Sequence, residues 1–276
     1  MTRPLSASTQ LCMSLAARPG TFGTRFHNHL YRLLDLDFVY KAFTTTDLPA
    51  AVAGIRALGI RGCGVSMPFK EACVALVDQL DPSAAIGSVN TVVNTDGVLR
   101  AYNTDYLAVR QLADTHGLRP DMSVALRGSG GMARAVAFAL RDAGLTRGVI
   151  VARNESAGRA LAGGCGYAFQ PEDADLNTGL SADLLVNVTP IGMAGGPGAA
   201  ELAFPAKAVA QAQVVFDVVA RPAETPLILE ARRQGRAVIS GAEVAALQAL
   251  EQFVLYTGVR PSAEQVRAAV KEALTN

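Results

Sequence analysis

The chain has 276 residues, half of them hydrophobic, and its 25 basic and 24 acidic residues leave a formal net charge of +1. This length permits two domains with a sizeable core, and the balanced charge gives no reason to expect nucleic acid or an anionic membrane as a partner. No charge-free stretch approaches transmembrane length, and the first residues lack the apolar segment of a signal peptide. We expect a cytoplasmic protein, monomeric or homodimeric, that acts on a small molecule.

The cysteines show neither the spacing of a metal site nor that of a redox pair. Cys12, Cys63, Cys73 and Cys165 lie in apolar or glycine-rich surroundings without a CxxC. We therefore expect buried, reduced thiols and no metal site.

The first hundred residues predict short strands alternating with helices. Asp47 precedes an apolar-periodic run, which is the place of a helix N-cap, and Pro68 ends a strand because it has no amide donor. Residues 94–97 have the composition of a hairpin turn. The predicted strands are 10–14, 38–43, 62–65, 91–93 and 98–101, and the predicted helices are 23–34, 48–58 and 69–77.

A predicted helix at 104–116 and a hinge-like segment at 117–120 precede a region in which strands and helices alternate more regularly. Strands are predicted at 123–126, 148–152, 167–169, 183–188, 214–218 and 237–240, with helices between most of them and two more at 242–256 and 261–274. Such alternation predicts a doubly wound parallel sheet. The predicted fold class is α/β: an N-terminal α/β domain over 1–105, a Rossmann-like domain over 106–241, and a cleft between them. The helices after residue 242 are expected to pack back on the first domain.

A glycine-rich turn, Arg127-Gly128-Ser129-Gly130-Gly131-Met132-Ala133, joins a predicted strand to a predicted helix. The first glycine permits the tight turn, the second lets the backbone approach a pyrophosphate, and the small Ala133 lets helix and strand pack closely. The helix N-terminus adds amide donors and partial positive charge. We predict a dinucleotide site at Gly128, Ser129, Gly130, Gly131, Met132 and Ala133. Two roles are open for Arg127: a pyrophosphate contact or a salt bridge.

The residue after the next strand bears on which dinucleotide is bound. Arg153 stands where an NAD site usually has a carboxylate for the ribose hydroxyls. A guanidinium suits a 2′-phosphate because it is planar, always charged and able to bind bidentately. We therefore predict NADP, while Glu155 two positions later keeps NAD possible.

Lys70 and Asp105 lie in non-repetitive contexts ahead of the glycine turn. A lysine beside a carboxylate can exchange a proton and hold a developing alkoxide while a nicotinamide takes the hydride. The pair therefore indicates oxidation of a secondary alcohol, with the catalytic groups in the first domain.

These segments together resemble the shikimate dehydrogenase family, and the resemblance runs nearly end to end. The matching segments are Pro68-Phe69-Lys70-Glu71, Val89-Asn90-Thr91, Asn103-Thr104-Asp105, the turn at 128–133, Asn187-Val188-Thr189, Thr225-Pro226 and Gln248. Each is weak by itself, whereas their common order along the chain is specific.

The resemblance implies an NADP-dependent oxidoreductase of aromatic amino acid biosynthesis, on the route to chorismate, that interconverts shikimate and 3-dehydroshikimate at the C3 hydroxyl. It implies that Lys70 transfers the proton and that Asp105 orients it and hydrogen-bonds the substrate. The residues implied to bind the ring hydroxyls are Ser66, Asn90 and Gln248, and those placed beside the cofactor, besides the turn and Arg153, are Thr189, Val218 and Gly241.

Two segments depart from the family pattern. The Ser-x-Ser-Pro segment that binds the substrate carboxylate is replaced by Thr21-Phe22-Gly23-Thr24, and the tyrosine expected three residues after Asp217 is replaced by Ala220, followed by Arg221. Losing two such hydrogen bonds would weaken shikimate binding by about tens- to thousands-fold. We therefore expect Thr21 to carry part of the acid binding, and the substrate to be shikimate or a close analogue.

Other functions fit parts of the same pattern. An NAD-dependent quinate or aminoshikimate dehydrogenase is favoured by Gly23 and Ala220, which open the acid-binding end. A non-catalytic dinucleotide-binding sensor would have no use for the Lys70–Asp105 pair. A tetrahydrofolate-type dehydrogenase shares the two-domain layout but not the Asn-Thr-Asp context.

Overall fold

The structure is a computed structural model that describes residues 4–172 and 180–274. Its contacts divide the chain into two compact units, one formed by Met1–Thr104 with Ala246–Asn276 and the other by Asp105–Ala245. Each unit has its own sheet, and the predicted α/β class with a Rossmann-like sheet is confirmed. Within the described ranges, no helix is both long and apolar enough to cross a bilayer.

Both units are built from short strands and helices. The strands are β1 (Gln10–Leu15), β2 (Phe38–Phe43), β3 (Gly62–Val65), β4 (Gln79–Leu80), β5 (Thr91–Thr95), β6 (Val98–Tyr102), β7 (Ser123–Arg127), β8 (Arg147–Ala152), β9 (Ala168–Pro171), β10 (Leu184–Asn187), β11 (Val214–Asp217) and β12 (Ala237–Ser240). The helices are α1 (Phe22–Leu33), α2 (Leu48–Ala57), α3 (Thr104–Thr115), α4 (Gly131–Asp142), α5 (Glu155–Cys165), α6 (Ala206–Gln211), α7 (Pro226–Arg233), α8 (Gly241–Thr257) and α9 (Ala263–Leu274), with short 3-10 helices at Ala72–Leu76 and Pro82–Ala84.

The sheet of the first unit is mixed, with strand order β2-β1-β3-β5-β6-β4. Strand β1 pairs parallel with β2 and β3, whereas β5 runs antiparallel to both β3 and β6. The carboxyl end of β3 and the amino end of β5 therefore lie at the same edge of the sheet. Ser66 follows the first of these ends and Asn90 precedes the second, so the topology places two predicted site residues at one edge.

Apolar side chains bury both faces of this sheet. Val52 and Ile55 of α2 belong to a core cluster with Leu15 and Val65. Phe26 and Leu30 of α1 pack with buried side chains of α8 and α9 in a second cluster. Asp47 caps α2 as predicted, because its Oδ1 accepts a hydrogen bond from the amide of Ala50 at 2.9 Å.

The predicted hairpin forms, whereas one predicted helix does not. Asp96 and Gly97, with φ of 52° and 84°, form a two-residue turn of the kind that joins β5 and β6 tightly. The helix predicted at 69–77 is wrong: only the 3-10 helix Ala72–Leu76 forms. The chain leaves it because the amide of Asp78 donates to the carbonyl oxygen of Leu99 at 3.0 Å, which begins the pairing of β4 with β6.

The sheet of the second unit is parallel throughout, with strand order β12-β11-β10-β7-β8-β9. Read from the other edge this is the 3-2-1-4-5-6 order of a Rossmann fold. The strand order reverses between β7 and β10, and in such sheets ligands bind outside the carboxyl ends of the strands at that point.

Candidate active site

Ser66, Lys70 and Asn90 are held at one edge of the first unit's sheet. The amide of Val65 donates to the carbonyl oxygen of Asn90 at 2.7 Å, and the amide of Val89 donates to the carbonyl oxygen of Lys70 at 3.0 Å. Ser66 is exposed and Lys70 is half-buried. The structure therefore brings these three predicted residues together.

The side-chain amide of Asn90 is fixed in one orientation. Its Oδ1 accepts hydrogen bonds from the backbone amide of Thr104 at 2.8 Å, from Oγ1 of Thr104 at 3.1 Å and from Oγ1 of Thr91 at 2.8 Å. A backbone amide can only donate, so the atom that faces it must be the oxygen. Among the described residues Nδ2 of Asn90 has no acceptor, which leaves this NH₂ group to donate to a ligand.

The sequence did not reveal the role of Gln252, one helical turn after the predicted Gln248. Gln252 is buried, and its Nε2 donates to the carbonyl oxygen of Asn90 at 3.2 Å and to Oγ1 of Thr91 at 3.0 Å. Residues four apart share a helix face, so Gln248 lies on the face of α8 that meets this sheet edge. A second glutamine four residues later on the same predicted helix was the available signal.

Asp105 is buried in the first turn of α3. The preceding Thr104 is fixed through its two hydrogen bonds to Asn90. Asp105 opens the second unit, whereas Lys70 belongs to the first. Their catalytic roles stay predictions.

The start of α1 carries the altered acid-binding segment. Thr21 occupies the N-cap position, but its side chain makes no capping hydrogen bond. Behind it, Asn28 fastens α1 to β2: Nδ2 donates to the carbonyl oxygens of Thr24 and Tyr40 at 2.8 Å each, and Oδ1 accepts from the amide of Tyr40 at 2.9 Å. The adjacent His27 is fully buried, and burial lowers its pKa to about 3. His27 and Asn28 thus lie beneath this segment and support it.

The glycine turn of the second unit has the geometry of a phosphate-binding loop. Gly128 has a φ of 127°, and a Cβ there would lie 2.8 Å from Cγ2 of Val188, so only glycine fits. Gly130 is the N-cap of α4, and a Cβ there would point into open space. Ala133 is buried against the strand. Gly130 therefore has open space beside its Cα, at the helix end whose first-turn amides lack intrahelical partners.

Arg127 forms a salt bridge, which decides between the two roles left open. Its Nη2 lies 2.7 Å from Oε1 of Glu172, both side chains being largely buried, and its Nη1 donates to the carbonyl oxygen of Ala203. Glu172 directly follows β9, so the pair links two strand ends across the end of β8.

Arg153 directly follows β8 and is exposed. It has no ion-pair or hydrogen-bond partner in the part of the chain that the structure describes. Asn154 caps α5 by accepting from the amide of Ala157 at 3.0 Å, and Glu155 is paired with Arg159 at 2.6 Å. Among the described residues, the guanidinium of Arg153 therefore has no partner, whereas the carboxylate of Glu155 is paired with Arg159.

The remaining predicted cofactor residues lie around the ends of β10 to β12. Thr189 donates to Oδ1 of Asn187 at 2.7 Å, and Nδ2 of Asn187 donates to Oδ1 of the buried Asp217 at 3.0 Å. A Cβ on Gly241 would lie 2.4 Å from the carbonyl oxygen of Val218, so the two backbones touch. The structure thus brings Thr189, Val218 and Gly241 to the carboxyl ends of β10, β11 and β12. Asp217 organises this region, a role that the sequence did not reveal.

Known proteins share this architecture and these segments. Residues 21–92 match the family model described as the shikimate dehydrogenase substrate binding domain. A shikimate dehydrogenase-like protein of Haemophilus influenzae is 52% identical over 98% of this chain and 99% of its own length.

Solved structures agree with that similarity. A shikimate 5-dehydrogenase-like protein has a TM-score of 0.93 at 52% identity, covering 99% of this chain and all of the other (100%). The shikimate 5-dehydrogenase of Thermus thermophilus, in complex with NADP(H) and shikimate, has a TM-score of 0.83 at 30% identity, covering 96% of this chain and 100% of that one. With this fold, these segments and these relatives, the chain belongs to the shikimate dehydrogenase family.

Proposed function

We propose that this protein is an NADP-dependent dehydrogenase that interconverts shikimate and 3-dehydroshikimate or a close cyclic polyol acid. The first unit binds the substrate and the second binds NADP. Lys70 transfers the hydroxyl proton and Asp105 orients it. The substrate-binding residues are Ser66, Asn90, Gln248 and Thr21.

The observation that carries this proposal is the oriented amide of Asn90 beside Ser66 and Lys70. Its Oδ1 is engaged by Thr104 and Thr91, so the NH₂ group is presented as a donor. A donor amide, a hydroxyl and an amine at one sheet edge suit a polyol, whose hydroxyl oxygens each accept hydrogen bonds.

The chemistry follows from the charge that develops on the substrate oxygen. When the alcohol becomes a ketone, the hydroxyl proton passes to the neutral amine of Lys70, and in the reverse direction the ammonium group returns it. Asp105 holds the amine toward that oxygen. Bound NADP supplies the hydride acceptor or donor.

Two features of the second unit suit the binding of NADP. The glycine turn offers unobstructed backbone at Gly130 and the N-terminus of α4 for the pyrophosphate. The exposed Arg153 has no competing carboxylate among the described residues, which suits a 2′-phosphate. Thr189, Val218 and Gly241 complete the proposed cofactor contacts.

The test is the initial rate of NADP reduction with shikimate, measured for the wild type, Lys70→Ala and Lys207→Ala. Lys207 is exposed on α6 and serves as the matched control. We expect saturable turnover by the wild type and the control, and a kcat about 10²- to 10⁴-fold lower for Lys70→Ala. Equal rates for all three proteins would contradict the role of Lys70.

The same assay, run with quinate and with NAD, separates the alternatives. Faster turnover of quinate with NAD would replace the proposal by a quinate dehydrogenase, for which Gly23 and Ala220 leave space. Measurable NADP binding without hydride transfer to or from any cyclic polyol acid would indicate a sensor.

A further inference from the structure

We propose that Arg127 is a positioning residue that sets the preference for NADP over NAD, because it holds the carboxylate of Glu172 away from Arg153. This inference rests on the proposed function and deepens it. It gives a role in cofactor recognition to the charged last residue of β7, a buried parallel strand in which an apolar side chain is the usual choice.

Glu172 and Arg153 are neighbours at the edge of the second unit's sheet. Ala152 of β8 pairs with Pro171 of β9, and each is followed directly by one of the two charged residues. The amide of Glu172 donates at 3.3 Å to the carbonyl oxygen of Ala152, which belongs to the peptide group that leads into Arg153. Neighbouring strands lie about 4.8 Å apart, so the carboxylate and the guanidinium start from positions that an ion pair can span.

Glu172 pairs instead with Arg127, which lies on β7, one strand beyond β8. Nη2 of Arg127 lies 2.7 Å from Oε1 of Glu172, and the two side chains are only 12% and 15% exposed. Nη1 of Arg127 donates to the carbonyl oxygen of Ala203, which fixes the guanidinium at its other end. The carboxylate of Glu172 is thus neutralised by a buried cation, and Arg153 has no partner in the part of the chain that the structure describes.

The position of this one negative charge decides what a 2′-phosphate meets at the end of β8. A carboxylate paired with Arg153 would occupy the donors that the phosphate needs, and its charge would repel the phosphate. A carboxylate near this strand end also accepts hydrogen bonds from the ribose hydroxyls of NAD. The carboxylate of Glu155 is already held by Arg159 at 2.6 Å. With Glu172 held by Arg127, the guanidinium of Arg153 is left for the 2′-phosphate of NADP.

The test is calorimetric titration with 2′,5′-ADP, which carries the 2′-phosphate, and with 5′-AMP, which lacks it. We expect Arg127→Met to weaken the binding of 2′,5′-ADP about tenfold and that of 5′-AMP by less than about twofold, because the released carboxylate of Glu172 acts on Arg153 and on the phosphate. Arg127→Lys keeps the positive charge but loses the forked geometry, so its affinity should lie between those of the wild type and Arg127→Met. Thermal unfolding checks that each variant is folded.

A rescue separates this role from a merely structural one. The double variant Arg127→Met, Glu172→Gln removes both charges, so it leaves no unpaired buried carboxylate to weaken the fold. We expect it to bind 2′,5′-ADP within about twofold of the wild type, which is the non-additivity of two groups that act through one contact. Glu155→Gln in the Arg127→Met background is the matched control, and it should restore no affinity because Glu155 is already paired with Arg159.

Three results would overturn the inference. The first is unchanged binding of 2′,5′-ADP by Arg127→Met, and the second is an equal loss for 2′,5′-ADP and 5′-AMP. The third is a double variant that binds 2′,5′-ADP as weakly as Arg127→Met does, since this would assign Arg127 to the phosphate directly or to the fold alone. If Arg127→Met does not fold, Arg127→Lys takes its place, with and without Glu172→Gln, under the same three criteria.

The titrations do not depend on turnover, so the proposed function fails separately. A wild type that binds 2′,5′-ADP but reduces no NADP with any cyclic polyol acid contradicts the proposed reaction, and the variants of Arg127 and Glu172 still decide on the inference. A wild type that binds 5′-AMP as tightly as 2′,5′-ADP overturns the inference, because the site then shows no preference for the 2′-phosphate that Arg127 is proposed to secure.

Discussion

Asn187 donates from Nδ2 to Oδ1 of Asp217 at 3.0 Å, between paired positions at the ends of β10 and β11. Asp217 also accepts from the amide of Val219 at 3.0 Å and from Oγ1 of Thr225 at 2.7 Å. Thr225 at the same time caps α7 through the amide of Ile228. One buried carboxylate thus organises three of the segments that surround the proposed cofactor site.

We expect Asp217→Asn to lower the free energy of unfolding by about 1–3 kcal/mol, because an amide has one acceptor oxygen for the three donors and turns an NH₂ group toward another donor. We also expect a higher KM for NADP, since the backbone at Val218 is positioned by this network. Urea denaturation and initial rates measure the two effects. Asp121→Asn, at an exposed side chain paired only locally with Arg119, is the control and should change neither quantity.

The elements that the sequence predicted well are those with local signals. The cap at Asp47, the Asp96-Gly97 turn and the glycine turn each depend on neighbouring residues, so their geometry follows from the chain itself. The site residues near Asn90 could be proposed from the family motifs, but the orientation of its amide depends on Thr104, which folding brings to it.

The features that the sequence could not predict depend on contacts between residues that are far apart in the chain. The salt bridge of Arg127 needs Glu172, 45 positions later. The helix predicted at 69–77 does not form, because Asp78 pairs instead with Leu99, which is distant in the sequence. Tyr40 meets Gly23 only because α1 folds back on β2, so a pattern within either segment gives no hint of the contact.

The guanidinium of Arg153, which pairs with none of the described residues, predicts the cofactor preference. We expect Arg153→Ser to raise KM for NADP by about 10- to 100-fold, which corresponds to about 1.4–2.8 kcal/mol, and to leave KM for NAD nearly unchanged, because only NADP carries the 2′-phosphate. Initial rates with each cofactor measure this. Arg159→Ser is the matched control, since Arg159 is exposed and already paired with Glu155. A parallel loss with NAD would assign Arg153 a structural role.

Two glycines of the turn are expected to respond differently to alanine. Gly128→Ala should lower the free energy of unfolding by about 2–4 kcal/mol, because its φ is positive and its Cβ would press on Val188. Gly130→Ala should leave stability within about 1 kcal/mol, because its Cβ meets nothing within 4 Å, and should weaken NADP binding by blocking the approach of the pyrophosphate.

Gly163→Ala is the control for these two substitutions. Gly163 lies inside α5, with nothing within 4 Å of an added Cβ, so alanine should stabilise the protein by about 0.5–1 kcal/mol without affecting NADP. Urea denaturation and cofactor titration of the three variants measure the effects. Equal stability of Gly128→Ala and Gly130→Ala would contradict the geometry of the turn.

We expect the stability of the protein to depend on pH through Glu243, which lies at the start of α8. Burial acts to raise its pKa, but hydrogen bonds from the amide and hydroxyl of Ser240 and the contact with His116 at 3.0 Å outweigh it and lower the pKa. A carboxyl group whose pKa is lower in the folded state stabilises the fold above its unfolded value, near 4.5, and this contribution disappears as pH falls through the folded value. Because the side chain is 41% exposed, solvent screening keeps the effect small.

We expect Glu243→Gln to lower the free energy of unfolding by about 0.5–1 kcal/mol at pH 7, since the amide keeps one acceptor but loses the charge. The difference from the wild type should shrink when urea denaturation is repeated below about pH 4.5, because the wild-type carboxylate is then progressively protonated. Glu201→Gln, at an exposed loop position, is the control and should show no such dependence. A difference that stays constant from pH 7 to the acid range would mean that packing of the side chain, and not its charge, stabilises the junction of α3 with α8 through His116.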